Sequence, residues 1–120
     1  MGADLRRIER RLIKLALGYP EAWEDHPWGE NVVKVGKKIF VFFGVPQKDR
    51  LIVCTKLPDS VDFALSFPFA EPAGYGLGKA GWVNAQIGID DKVDIEMLED
   101  WIDESYRVVA PKKLVKLLDG

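Results

Sequence analysis

Two consecutive β-prone segments place the strongest constraint on how this chain can fold. Asn31 to Val35 and Lys38 to Phe43 are rich in valine and phenylalanine, residue types that favour strands. Only Gly36-Lys37 separates them, and a connection this short that contains glycine is typical of a β-hairpin. A turn over Pro46 to Arg50 then leads into a third apolar segment, Leu51 to Thr55. The sequence therefore predicts three strands in its first half.

Helical patterns surround these strands. Apolar residues three and four positions apart predict a first helix whose buried face runs from Leu5 to Leu15. A short helix is predicted from Pro58 to about Ser66. The C-terminal part contains two more helices, the first capped by Asp94 and the second begun by Pro111.

A fourth strand is predicted from Trp82 to Ile89. Its apolar residues alternate with polar ones, which is typical of a strand with one buried and one open face in an antiparallel sheet. Together the elements predict an α+β domain with a sheet of about four strands and helices packed on one face. The predicted order is α-β-β-β-α-β-α-α.

Length and composition limit the class of protein. The chain has 120 residues, 48% apolar and 30% charged, which fits a single folded domain over residues 1–120. Cys54 is the only cysteine, and we expect it to be buried in a protein of the reducing cytosol. The N-terminus lacks the apolar region of a signal peptide, and the longest apolar stretch, Ile39 to Val45, is too short for a membrane helix. We expect a cytoplasmic monomer without membrane contact.

Charge is distributed unevenly along the chain. Residues 1–60 contain 11 lysines and arginines against 8 aspartates and glutamates, whereas residues 61–120 contain 6 against 11. The net charge is −2. These numbers exclude a uniformly basic nucleic-acid-binding protein, but they fit a molecule with one basic and one acidic side.

No set of residues is typical of a catalytic or metal centre. His26 is the only histidine, whereas a zinc site needs about three or four ligands and an activated nucleophile needs a nearby base. The segment Gly74 to Lys79 lacks the Gly-Lys-Ser/Thr end of a phosphate-binding loop and precedes a strand. The carboxylates from Asp90 to Glu104 are typical of a solvated helix face. We therefore expect a binding protein, not an enzyme, with no metal and no cofactor.

Several short motifs occur in an order found in one known family. They are Pro27-Trp28-Gly29-Glu30, Lys34-Val35-Gly36-Lys37-Lys38-Ile39-Phe40, Gly81-Trp82-Val83, Ser105-Tyr106 and Lys112-Lys113-Leu114. In order and spacing they resemble the MmcQ/YjbR family of small bacterial proteins over essentially the whole chain. The resemblance implies an α+β fold with a curved antiparallel sheet, similar to that of CyaY-like proteins. It also implies a proposed DNA-binding role and no defined catalytic residue.

Basic residues form the first candidate site. Lys34, Lys37 and Lys38 cluster at the predicted hairpin, and the first helix adds Arg6 and Arg10. A protruding basic hairpin can contact DNA phosphates, which provide most of the non-specific affinity for nucleic acid. Alternatively, the lysines keep the hairpin soluble and protect the sheet edge, while the arginines pair with the acidic C-terminal helix. DNA binding through the hairpin is the first hypothesis.

The open face of the fourth strand and the loop over residues 67–81 form the second candidate site. Its residues are Tyr75, Lys79, Trp82, Asn84 and Gln86. An exposed tryptophan on a sheet can stack on a base or a flat ligand, but Trp82 can equally be covered by a terminal helix. The second hypothesis is a stress-related or drug-resistance-related domain that binds a small molecule or a protein here, without catalysis. Trp23 and Trp28 are expected to anchor their loop to the core.

Overall fold

The structure is a computed structural model and describes residues 4–119. Its first element is helix α1 (Leu5–Leu17). The expected domain of residues 1–120 thus includes four residues, 1–3 and 120, that lie outside the described ones. The Asp4 side chain caps α1 by accepting a hydrogen bond from the Arg7 backbone N–H at 3.2 Å. The residues that α1 buries are Leu5, Ile8, Glu9, Leu12 and Ala16. Their spacing of three and four confirms the predicted helix.

One antiparallel sheet contains all the strands of the described residues. They are β1 (Ala22–Asp25), β2 (Asn31–Val35), β3 (Lys38–Gly44), β4 (Arg50–Lys56), β5 (Ala70–Pro72) and β6 (Trp82–Gly88). Their order across the sheet is β1-β2-β3-β4-β6-β5. The predicted hairpin is confirmed as β2 and β3, and the other two predicted strands as β4 and β6.

The prediction of four strands was wrong. Residues 4–119 form six, and the order of helices and strands is α-β-β-β-β-α-β-β-α-α. The missed strands β1 and β5 lie in segments that were predicted to be irregular, and neither shows a regular apolar alternation. Each forms by pairing with an existing strand at an edge of the sheet, β1 with β2 and β5 with β6. Their backbone groups gain partners there, although their own residues favour strands weakly.

Three further helices follow in the chain: α2 (Val61–Leu65), α3 (Ile95–Val109) and α4 (Lys112–Asp119). Asp94 caps α3 as predicted, because its side chain accepts a hydrogen bond from the Glu96 N–H at 3.0 Å. Helices α1 and α3 pack on the same face of the sheet and bury its inward residues. This core includes Leu12, Val33, Phe40, Val53, Ala85, Leu98, Ile102 and Tyr106. Among the helices of residues 4–119, none has the length and apolar character needed to cross a membrane.

Trp23 and Trp28 do not anchor their loop to the core, contrary to the expectation from sequence. Trp28 is 92% exposed and Trp23 is 43% exposed. Trp28 lies in the short 3-10 turn that joins β1 to β2, where its φ of 51° is in the left-handed region. Polar contacts hold this turn instead, since the Asn31 side-chain amide donates to the buried carboxylate of Glu9 at 3.0 Å.

Candidate nucleic-acid interface

The face of the sheet opposite α1 and α3 is open. Along β6, Val83, Ala85 and Ile87 are buried in the core, so Trp82, Asn84 and Gln86 point to the open face, where each is half-buried. The predicted alternation of β6 is therefore confirmed. Because the helices cover the other face, part of Trp82 stays accessible to solvent.

A row of aromatic and basic residues crosses the hairpin end of this face. Trp23 on β1 is paired with Lys34 on β2, and Lys56 on β4 is paired with Trp82 on β6. Residues directly opposite each other in an antiparallel sheet have side chains on the same face. We call Trp23, Lys34, Lys56 and Trp82 the tryptophan–lysine row. It has a tryptophan at each end and a lysine beside each tryptophan.

Trp23 is held in a fixed position. Its indole Nε1–H donates to the carbonyl oxygen of Gly36 at 2.8 Å, and the Lys34 ammonium lies 5.1 Å from its ring centroid. Lys34 Nζ also lies 2.7 Å from Asp25 Oδ2. The hydrogen bond from Lys34, together with one from the His26 N–H, lowers the pKa of the Asp25 carboxyl. Because Lys34 is directly opposite Trp23, its side chain lies on the open face and not at the hairpin tip.

The hairpin tip carries Lys37 and Lys38, both exposed. Gly36, with a φ of 61°, makes the tight turn between the strands. Lys38 begins β3, and Lys56 ends the antiparallel neighbour β4, so both lysines lie at the same end of the sheet. The structure thus brings the hairpin lysines next to the tryptophan–lysine row.

The loop between β5 and β6 also lies at this end. The Ala73 N–H donates to the Trp82 carbonyl oxygen at 3.0 Å, which starts the loop beside the first residue of β6. Within it, Tyr75 is fully exposed and has a φ of 58°, and Lys79 is exposed. Both predicted loop residues therefore share the hairpin end of the sheet with Trp82.

Arg6 and Arg10 do not join this surface. Both belong to α1, on the opposite face of the sheet. The Arg6 guanidinium donates to Glu9 Oε2 at 2.7 Å and to the carbonyl oxygen of Arg50 at 2.6 Å. Arg50 is the first residue of β4, roughly 20 Å from the hairpin end that β4 reaches at Lys56. Arg10 is exposed on α1.

Asn84 and Gln86 continue the open face from Trp82 towards the other end of the sheet. The Gln86 side chain donates to Glu71 Oε1 at 3.1 Å and accepts from Arg50 Nη1 at 3.2 Å. A cavity of about 260 Å³ lies next to them, lined by Pro68, Phe69, Ala70, Glu71 and Gln86. The described residues contain no group of three or more His, Cys, Asp or Glu side chains that can hold a metal ion.

Val32, Phe42 and Cys54 fill the centre of the open face, where they pair across β2, β3 and β4. Cys54 is buried, as predicted. Desolvation by this burial raises the pKa of its thiol to about 11. The thiol therefore stays protonated at neutral pH and contributes packing to the sheet.

Two residues of the row were missed in the sequence. Lys56 follows the predicted third strand, and its alternation with Cys54 was a signal that it shares the open face. Trp23 was assigned to a core-facing loop because β1 carries no strand pattern of its own. Only the pairing of β1 with β2 turns its side chain to the open face.

The chain is an α+β domain. It has an open six-stranded antiparallel sheet with helices on one face, and one end of the sheet is basic and aromatic. The chain belongs to the YjbR family, whose model matches residues 17–108, and the resemblance noted in the sequence is thereby confirmed. The match includes the whole tryptophan–lysine row and the hairpin lysines, but neither Arg6 nor Arg10.

A crystal structure of the Deinococcus radiodurans protein DR2400, described with the family-model domain DUF419, is similar to this chain. The TM-score is 0.67, and the similarity covers 92% of this chain and 87% of that chain. Sequence identity is 24%, so the likeness shows the fold alone. No curated protein matches the chain.

Proposed function

We propose that this YjbR-family protein is a DNA-binding module without catalysis, and that the hairpin end of its open sheet face contacts the DNA backbone. The observation that supports the proposal is the convergence of four lysines at one end of the sheet. Lys37 and Lys38 project from the hairpin tip, and Lys34 and Lys56 lie in the adjoining tryptophan–lysine row. Lysines placed this way can neutralise neighbouring phosphates.

Of the four lysines, Lys34 is paired with a carboxylate, whereas Lys37, Lys38 and Lys56 form no ion pair with the described residues. Asp25 is paired with Lys34, and Glu71 accepts a hydrogen bond from Gln86 further along the face. Most acidic residues of the second half of the chain belong to α3 and the turn before it, and α3 packs on the opposite face. The net charge of −2 is thus compatible with a local basic surface.

The alternative of a small-molecule site near Trp82 and Tyr75 has weaker support. The cavity of about 260 Å³ is lined by Gln86 of that candidate site and by residues 68–71 of the 67–81 loop, but neither Trp82 nor Tyr75 lines it. It is also at the lower limit for ligand pockets, which are typically about 300–1,000 Å³.

Fluorescence anisotropy of labelled DNA tests the proposal at salt concentrations of about 50 mM and about 200 mM. The test variant is Lys37→Ala/Lys38→Ala. The matched control is Lys112→Ala/Lys113→Ala, which removes two exposed neighbouring lysines from α4. We expect salt-dependent binding, with the slope of log K against log salt reduced by about 2 in the hairpin variant and unchanged in the control. No binding at the lower salt, or equal losses in both variants, would overturn the proposal.

A further inference from the structure

We infer that the nucleic acid held at this surface is single-stranded and that two of its bases stack on Trp23 and Trp82. The inference rests on the proposed function and specifies the form of the nucleic acid. A duplex keeps its bases stacked on one another, whereas a single strand can splay its bases onto aromatic side chains. An open antiparallel sheet with exposed aromatic residues is suited to that mode of binding.

Trp23 is a preorganised platform for a base. Its indole is 43% exposed, and its N–H is already engaged with the Gly36 carbonyl oxygen. The Lys34 ammonium lies over the ring, which leaves the other side of the ring for a base. Since the side chain is ordered before binding, little conformational entropy is lost when a base stacks on it.

Trp82 is fixed by the backbone that precedes it. Gly81 has a φ of 94° and lies so close to Pro58 that an added Cβ would be 3.0 Å from the Pro58 backbone. The Leu57 N–H also donates to the Gly81 carbonyl oxygen at 2.8 Å. These contacts set the start of β6 and hold Trp82 on the open face beside Lys56.

The spacing of the row fits a strand that crosses the sheet. Trp23 on β1 and Trp82 on β6 are separated by four interstrand steps, or roughly 19 Å at about 4.8 Å per step. Lys34 and Lys56 each lie one step inside a tryptophan. A single strand that stacks a base at each end therefore passes its phosphates over these two lysines, and the hairpin lysines lie beside its path.

The test compares single-stranded and double-stranded DNA of the same sequence in the anisotropy assay at low salt. The variants are Trp23→Leu, Trp82→Leu and Trp23→Phe, and Trp28→Leu is the control because Trp28 is exposed at the opposite end of the sheet. We expect each Leu variant of the row to weaken single-strand binding about 5- to 100-fold. We expect Trp23→Phe to keep much of the single-strand affinity, because phenylalanine can also stack on a base. Trp28→Leu should bind single strands within about twofold of the unmodified chain, and every variant should bind the duplex within the same range.

The two proposals fail separately. If the Leu variants bind single strands as tightly as the unmodified chain while Lys37→Ala/Lys38→Ala binds weakly, the stacking inference is wrong and DNA binding stands. If no DNA binds at low salt, both are wrong. Circular dichroism checks that each variant folds. Should Trp82→Leu unfold, Trp23→Leu decides, because its side chain is the more exposed of the two.

Discussion

The Ser105 hydroxyl donates a hydrogen bond to the carbonyl oxygen of Phe40, 2.5 Å away and 65 residues earlier in the chain. The same hydroxyl accepts a hydrogen bond from the Lys56 backbone N–H at 2.9 Å. Helix α3 thus joins β3 and β4 at the point where their direct pairing has ended. The pairs before that point are Val41 with Thr55 and Phe42 with Cys54. Ser105 thereby supports the end of the sheet that carries the proposed site.

We expect Ser105→Ala to lower the free energy of unfolding by about 2–4 kcal/mol, because two backbone groups lose their partner in a largely buried place. Urea denaturation measures the change. Ser66→Ala is the control, since the one hydrogen bond of the Ser66 hydroxyl within residues 4–119 goes to the nearby Phe63 carbonyl oxygen at an exposed site. It should cost less than about 1 kcal/mol. Similar losses in the two variants would show that the Ser105 bridge adds no stability.

Cys54 makes stability depend on pH above neutrality. Its thiol pKa is raised by burial from an ordinary 9.0 to about 11 in the folded state. The stabilising effect is complete below about pH 9 and is lost as the pH rises towards about 11, because the unfolded chain ionises first. We expect the free energy of unfolding to fall by up to about 1.4 kcal/mol per pH unit in this range.

Urea denaturation of the unmodified chain and of Cys54→Ala at about pH 8, 9 and 10 measures this loss. Cys54→Ala should remove most of the slope between about pH 9 and 10. Above that range Tyr19 contributes as well, because desolvation and a hydrogen bond to Asp103 raise the pKa of its hydroxyl. An equal slope with and without the thiol would contradict the prediction.

Trp28 combines a solvent-exposed ring with a left-handed backbone conformation, at a φ of 51°. That conformation costs most L-residues about 1–2 kcal/mol and is easier for asparagine. We expect Trp28→Asn to leave the melting temperature unchanged or to raise it slightly. Trp23→Asn should lower it, since Trp23 packs with Lys34 and the hairpin turn. A marked fall for Trp28→Asn would show that the ring contributes to folding.

Arg6 and Arg10 are expected to differ in effect although they share a helix. Arg6→Ala deprives the buried Glu9 carboxylate of its cation, so we expect a loss of about 1–3 kcal/mol in urea denaturation. Arg10→Ala removes an exposed side chain and should change stability by less than about 0.5 kcal/mol. Both variants should retain the DNA affinity of the unmodified chain, because α1 lies on the face of the sheet opposite the tryptophan–lysine row. A strong loss of affinity with Arg10→Ala would move the interface to α1.

The parts of the fold that were predicted correctly rest on local patterns. The hairpin over 31–43 has two β-prone runs with a glycine turn between them, and the structure ends β3 only one residue later, at Gly44. Asp94 was assigned as the cap of α3 because a short polar side chain can accept from the free N–H groups of the first turn. In each case residues close in sequence form the contacts.

The candidate site was predicted only in part for the same reason. Lys37 and Lys38 follow directly from the hairpin, and Trp82 follows from the alternation of β6. The approach of Trp23 to Lys34 depends on β1, a strand that exists because it pairs with β2. Lys56 is opposite Trp82 because β6 pairs with β4, although 25 residues separate Lys56 from Trp82 in the chain.

The sequence by itself determined the family, the helices, the hairpin and which side of β6 is buried. Apolar spacing and turn residues act over a few positions, and they have the same meaning in any surroundings. Tertiary structure alone decided that the sheet has six strands, that Trp28 faces solvent, and that two tryptophans flank two lysines on one open face. Edge pairing and register depend on backbone partners far away in the chain, so no local pattern can specify them.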